Sequence, residues 1–482
     1  MNAKKFYITC SIPYVNAAPH IGHAMEFVEG DVIARYHKLL GEETLLLSGG
    51  DENALKNVQA AEKAGVPVQK FIDDNTQKFF ELTKALNCQF DIWQKGSDQK
   101  HHFVASQKLW ELCKKDIYKK SYEGLYCVGC EAFYTRDELN ENGECFEHPG
   151  KKLETVKEEN YFFRLSKYQE QLIKLLSSGE LKIIPDFRKN EILSFLKQPL
   201  LDISVSRSNE RAKNWGVPVP GDPAQRMYVW FDALNIYQSG VGFGWDEKTY
   251  EKWWPADVHV IGKGINRFHT IYWPAFLLSA GLKLPKSVFV HGYFTVNGQK
   301  MSKTLGNVID PNELIKKYGA DAIRYYLLRE IPPTSDGDFS ERRFKELYNA
   351  DLANGLGNLI ARIARLCENS KLDFPPEKHS WIPTSLLSEE LSNYRFDKAL
   401  ELLWSGVEAA TSITSLDHLI NEKKPWNLTG DELKKTLTFL VNEIRVIATE
   451  LQPFLPVTAE KILKQFKGPT IKSQSPLFPR IQ

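Results

Sequence analysis

The chain has 482 residues, of which 42% are hydrophobic and 26% charged, and a formal net charge of +1. That length suits two to four domains of ordinary size. The near-zero charge gives no compositional reason to expect nucleic acid, and no apolar run approaches the roughly 18–20 residues of a membrane span. The opening "MNAKKFYITC" lacks the apolar stretch of a secretory signal, so a cytoplasmic protein is expected.

In chain order, Lys5 to Cys10 reads as a strand, followed by a loop and a helical pattern from about Ala24 to Leu40 that Gly41 closes. "EETLLLSGGDE" gives a second apolar strand ending at Gly49, Gly50 and Asp51, and the chain to about Asp116 reads mainly as amphipathic helices. From 117 to 225 the character changes to a Cys/His cluster, strand-like pieces such as "ENYFFRL" and a Pro-rich exit, "WGVPVPGDP". Strand signals return in "DVHVIGKG" and "KSVFVHGYFTV", either side of the helical "FHTIYWPAFLLSAG". After about Asn349 helical periodicity dominates. The prediction is an α/β protein: a parallel sheet in two halves, 1–116 and 226–297, interrupted by an insert at 117–225, then a loop and connecting region at 298–348 and an all-α domain at 349–482.

Three motifs carry chemistry. In "NAAPHIGHAME", His20, Gly22 and His23 surround a helix start, where amides without partners and the macrodipole favour phosphate; a purely structural pair of histidines is the alternative. Cys127, Cys130, Cys145 and His148 form CxxC, fourteen residues, then CxxH, a spacing that closes a tetrahedral zinc site. Four protein ligands leave no open position, so such a zinc is structural, and the second pair weakens a redox reading of the first. Cys10, Cys88, Cys113 and Cys367 read as buried small apolar residues. "NGQKMSKTLGN" places Lys300 and Lys303 in a loop where two ammonium groups can meet a departing pyrophosphate; an ordinary solvated basic loop is the alternative. Asn358 and Arg362 share a helix face in the C-terminal part, and Trp426 follows a break at Pro425.

The pairing of "HIGH" with "KMSKT" resembles the class I aminoacyl-tRNA synthetases. The wider stretches "TCSIPYVNAAPHIGH", "YVWFDALNIY", "IGKGINRFHTIYWPAFL" and "FVHGYFTVNGQKMSKTLGN" resemble the methionyl-tRNA synthetase family over nearly the whole chain. The resemblance implies a Rossmann-like catalytic domain, a zinc-knuckle insert holding one metal, and a helical-bundle anticodon-binding domain. It also implies a methionine–tRNA ligase using methionine, ATP and tRNA(Met). Carried over by position, His20, Gly22, His23, Lys300 and Lys303 would bind ATP with Mg²⁺ on its phosphates. Asp51 would hold the α-ammonium, and Ile12, Tyr14, Trp230, Leu234, Tyr237 and His269 would enclose the side chain. An apolar, aromatic pocket with one anion suits a thioether amino acid. Asn358, Arg362 and Trp426 would read the anticodon, whose loop bases are recognised by stacking and by hydrogen bonds from such residue types.

The chain departs from the family at Asn53 and Ala54, where many relatives have His-Gly, at Gly264, where an acidic residue is common, and at Thr304, which stands for Ser. It carries no appended dimerisation module, so a monomer is expected. Two rivals stand beside this reading: a synthetase for another apolar amino acid, against which the aromatic wall of Tyr14, Trp230 and Tyr237 argues, and a non-catalytic tRNA-binding relative, against which the intact His20, His23, Lys300 and Lys303 argue.

Overall fold

The computed structural model describes residues 4–482 except 131, 135, 148–149, 302–305, 377–382 and 406–411, and of residues 122, 132, 133, 137 and 300 the backbone. The chain forms two compact units, one of residues 1–19, 43–83 and 89–291, the other of 20–42, 84–88 and 292–482.

At the centre of the first unit is a six-stranded parallel sheet. Its strands are β1 (Lys5–Cys10), β2 (Glu43–Gly50), β3 (Ile92–Lys95), β4 (Lys182–Ile184), β5 (Val258–Gly262) and β6 (Ser287–His291), in the order β3-β2-β1-β5-β6-β4. Such a sheet is covered on both faces, which is why "TLLLSGG" and "SVFVH" are continuous apolar runs instead of alternating ones. Strand order reverses between β1 and β5. In open α/β sheets that reversal leaves a crevice beyond the carboxyl ends of the strands, the usual ligand position. The segment after β1, from Ser11 to Tyr14, and the turn Lys263–Ile265 after β5 both leave the sheet there. Ser11 N donates to Val260 O at 3.0 Å and Asp51 N to Pro13 O at 2.9 Å, so the ends of β1, β2 and β5 are laced together at this edge.

The two outermost strands were not legible in the sequence. Ile92–Lys95 is only four residues long in a stretch that reads as helical, and Lys182–Ile184 has three residues in the middle of the segment expected to be an insert. Short edge strands carry too little pattern to announce themselves. The rest of that segment includes a four-stranded antiparallel sheet in which Ile117–Cys127 pairs with Glu154–Phe163, so Cys127 ends a long, well-supported strand. "FHTIYWPAFLLSAG" is a wide π-helical turn, Phe268–Tyr272, that passes into the α-helix Trp273–Ala280.

In the second unit the helix expected from Ala24 begins at Ile21 and runs to Leu39. Its buried Asp31 meets Arg324 of helix Ala320–Arg329 at 2.7 Å, both side chains fully enclosed. Arg324 also donates to Phe454 O at 2.7 Å and Pro453 O at 2.8 Å, so the pair is hydrogen-bonded as a buried ion pair must be. The run "KSVFVHGYFTV" is two strands, because β6 ends at His291 and Phe294–Val296 belongs to a separate three-stranded sheet with Gln299–Lys300 and Gly337–Phe339. Gly292 lies at the break: a Cβ there would fall 2.1 Å from Ser335 O, a close backbone approach that only glycine permits. No strand follows Phe339 among the described residues, and the remainder is helical, as the periodicity predicted.

Candidate active site and metal centre

His20 is the N-cap of helix Ile21–Leu39, and its bonds run both ways: Gly22 N donates to His20 Nδ1 at 3.1 Å, and His20 N donates to His23 Nδ1 at 3.1 Å. A capping box usually does this with a hydroxyl and a carboxylate; here two imidazoles do it, with ring centroids 3.9 Å apart. Each Nδ1 accepts, so in the neutral rings Nε2 carries the proton and is a donor. This refines the sequence reading, because the cap has taken the Gly22 amide that was expected to face a phosphate. The donors these rings carry are their Nε2–H groups, at the positive end of the helix dipole. What Gly22 provides is space. A Cβ there would lie 3.0 Å from His20 Cε1 and 4.0 Å from Met301 Cε. Met301 of "KMSKT" therefore reaches the helix start, and Ile21 N, donating to Ile309 O at 3.2 Å, fixes the chain beyond that loop. Thr295 pairs with Lys300, which places the Lys300 backbone; its side chain, and Lys303 entirely, lie outside the described residues.

In the first unit, Asp51 follows β2 directly, is 4% exposed, and pairs with Tyr14 as an isolated parallel bridge. Glu52 beside it is committed to structure: Thr76 Oγ1 donates to one carboxylate oxygen at 2.6 Å, and Ser97 N and Oγ to the other at 3.0 and 2.5 Å. Ile12 and Tyr14 lie against the apolar core. Tyr14 meets Trp230 edge to face, centroids 6.3 Å apart, and Trp230 stacks on Phe268 at 3.7 Å with 4° between the planes. Leu234 follows Trp230 by one turn on helix Val229–Leu234. The π-helical turn carries Phe268 and His269 in succession. His269 Nδ1 donates to Ile265 O at 3.0 Å, which leaves Nε2 to accept from Tyr237 OH at 2.8 Å. Asp51, Tyr14 and Trp230 are thus brought together, as are Tyr237 and His269.

Four residues of this region escaped the sequence reading. Asn53, noted only as a departure, donates from Nδ2 to Asp232 Oδ2 at 2.6 Å and to Gly96 O at 2.8 Å, and His102 Nε2 lies 3.5 Å from the same carboxylate oxygen. Asn53 therefore crosslinks the Asp51 segment to the helix that bears Trp230. His259 on β5 bonds to Thr9 Oγ1 at 2.5 Å with its ring 4.5 Å from Tyr237, and burial holds its pKa well below the usual imidazole range. Nothing in the run "DVHVIGKG" marks His259 out, because its partner Thr9 lies on another strand.

In the insert, the Sγ atoms of Cys127, Cys130 and Cys145 all lie within 4.8 Å of one another, with Cys130 and Cys145 3.3 Å apart. Thiolates around a tetrahedral zinc at about 2.3 Å would be roughly 3.8 Å apart, so the trio fits. Hydrogen bonding to Cys127, together with burial, pushes the Cys130 thiol far up. His148, the fourth expected ligand, lies outside the described residues.

In the helical part, Asn358 opens helix Asn358–Ser370 and is exposed, and Arg362 one turn on pairs with Asp417 and donates to Asn421 Oδ1 at 2.7 Å. Those partners lie on helix Ile413–Lys423, which leads through Lys424 into the turn Pro425–Asn427. Pro425 is buried and Trp426 is 56% exposed, so the proline anchors a turn that presents an indole.

Residues 6–364 match the family described as tRNA synthetases class I (M). The methionine–tRNA ligase of Thermotoga maritima is 42% identical over 96% of this chain and 75% of its own length, and that of Brucella melitensis 40% identical over 98% and 94%. The solved structure of Mycobacterium tuberculosis methionyl-tRNA synthetase in complex with methionyl-adenylate superposes with a TM-score of 0.91 at 35% identity, covering 99% of this chain and 100% of that one. With its parallel-sheet core, its cysteine cluster and its helical C-terminal region, this chain belongs to the methionyl-tRNA synthetase family of class I tRNA synthetases.

Proposed function

We propose that this chain is a methionine–tRNA ligase that activates methionine with ATP to methionyl-adenylate and transfers it to the 3′ end of tRNA(Met) in the cytoplasm. Asp51 holds the α-ammonium, while Ile12, Tyr14, Trp230, Leu234, Tyr237 and His269 enclose the thioether. A carboxylate is already an anionic nucleophile at neutral pH, so attack on the α-phosphorus needs no protein base. Rate then depends on in-line positioning and on meeting the charge of the leaving pyrophosphate. His20 and His23 do so through Nε2–H, and Lys300 and Lys303 through their ammonium groups. Mg²⁺ carried on the phosphates neutralises part of the same charge. Cys127, Cys130 and Cys145, with His148 as fourth ligand, hold one structural zinc. Asn358, Arg362 and Trp426 read the anticodon. Every residue named belongs to one chain, so the reading asks for no second copy.

The observation that supports this most is the approach of Met301 to the helix start at Gly22, which brings two motifs about 280 positions apart in sequence to one place, in a chain similar to methionine–tRNA ligases along its length. Pyrophosphate exchange into ATP, run with each amino acid in turn, tests it: exchange with methionine is expected. Exchange with another amino acid, or with none, would assign the chain to a different synthetase or to a non-catalytic relative.

A further inference from the structure

The CxxC turn touches the amino-acid pocket at two successive carbonyls. Lys56 Nζ donates to Gly129 O at 3.1 Å, and the same ammonium stands 2.8 Å from the centroid of the Tyr14 ring. One residue further, Cys130 O accepts from Trp230 Nε1 at 3.4 Å. Tyr14 and Trp230 are the two aromatic walls that meet edge to face at 6.3 Å. Both walls of the pocket are therefore attached to the short segment between the first two metal-ligating thiols.

The two attachments differ in kind. The indole reaches its carbonyl directly. Tyr14 is reached through Lys56, a half-buried ammonium that serves the carbonyl by hydrogen bonding and the ring face by cation–π attraction. A half-desolvated charge is tolerated when such contacts are made, so the ammonium follows the carbonyl and the ring follows the ammonium. The carbonyl of Gly129 is oriented by how Cys127 and Cys130 are held, and the three thiols are placed as metal ligands.

We propose that Lys56 is a positioning residue that couples the CxxC turn to the Tyr14 wall, so that metal binding by Cys127, Cys130 and Cys145 sets how tightly the pocket holds methionine. The proposal rests on the pocket reading given above. It gives the zinc site a defined line of action on affinity for the amino acid, separate from the chemistry at the phosphates.

The test uses the zinc-loaded full chain and the variants Lys56→Met and Lys56→Arg, with three readouts: zinc content, methionine affinity from intrinsic tryptophan fluorescence without ATP, and pyrophosphate exchange at saturating methionine. Lys56→Met keeps the stem and removes the charge. It is expected to retain its zinc and to weaken methionine binding about three- to thirtyfold, the span of a cation–π contact, with the saturated exchange rate and the KM for ATP little changed. Lys56→Arg restores most of the affinity. Chelation of the unsubstituted chain is expected to weaken methionine binding by a similar factor, and to add little in Lys56→Met, because coupled contacts are not additive. Unchanged affinity in zinc-loaded Lys56→Met, failure of arginine to restore a lost affinity, loss of zinc from the variant, or factors that simply multiply on chelation would each overturn the coupling. Trp230→Ala separates the two layers: unaltered methionine binding in that variant would fault the pocket reading itself, whatever Lys56 does.

Discussion

The helix start at His20 and the aromatic cluster around Trp230 are built in opposite ways. At the helix start the deciding bonds join residues two and three apart, Gly22 to His20 and His20 to His23, so the two imidazoles are aligned by the turn they cap. In the aromatic cluster the deciding contacts join Tyr7 to Tyr237, Thr9 to His259, Asn53 to Asp232 and Cys130 to Trp230, across 100 to 250 positions. A site held by local bonds keeps its shape as long as its helix exists. A site held by distant ties is a consequence of the whole sheet and insert, and can be retuned from any of them.

The contrast is open to attack by substitution. His20→Asn keeps a good cap acceptor for the Gly22 amide and deletes the ring donor. Adenylate formation is expected to fall about 10²–10³-fold with melting temperature and methionine affinity unchanged, as for loss of one transition-state donor; an unaffected rate would reduce His20 to a cap. Tyr237→Phe removes the hydroxyl that His269 Nε2 accepts from. Loss of that hydrogen bond costs about 0.5–1.5 kcal/mol, expected as weaker methionine binding in a titration with little change in the rate at saturation. Trp426→Ala lies far along the chain from both motifs. It should cost about 1–3 kcal/mol in tRNA charging, the worth of one stacked base, and leave pyrophosphate exchange intact; equal losses in both assays would make the indole structural.

The smallest effect concerns pH. His259 is kept neutral by burial, its folded pKa well below the ordinary value of about 6.5. Below that pH the unfolded chain binds a proton that the folded chain refuses, so stability is full above about 6.5 and falls as the pH drops towards the folded pKa, by up to about 1.4 kcal/mol per pH unit. Urea unfolding at pH 5 and pH 7 should show this difference, and His259→Gln should shrink it. A pH dependence untouched by the substitution would clear His259 of the effect.

Legibility in the sequence followed the same division. The parallel sheet, the C-terminal helices and the CxxC cluster could be read because each has a local pattern: continuous apolar strands, a 3.6 period, and close-spaced ligands. "HIGH" and "KMSKT" were readable as the signature of the family, although the use of the Gly22 amide inside the cap was not, since nothing in the letters says which acceptor an amide will choose. The edge strands Ile92–Lys95 and Lys182–Ile184 were missed for want of length. Lys56 was passed over and Asn53 noted only as a departure, because their meaning lies in Gly129 and Asp232, remote partners that only the folded chain brings near.

The most direct test separates binding from chemistry at the lysine proposed to meet the leaving pyrophosphate. In single-turnover experiments Lys303→Ala should slow adenylate formation at least tenfold, about 1.4 kcal/mol, while its equilibrium affinity for methionine stays that of the unsubstituted chain. Equal losses in rate and affinity would contradict the assignment of the lysine loop and the capped histidines to a common triphosphate.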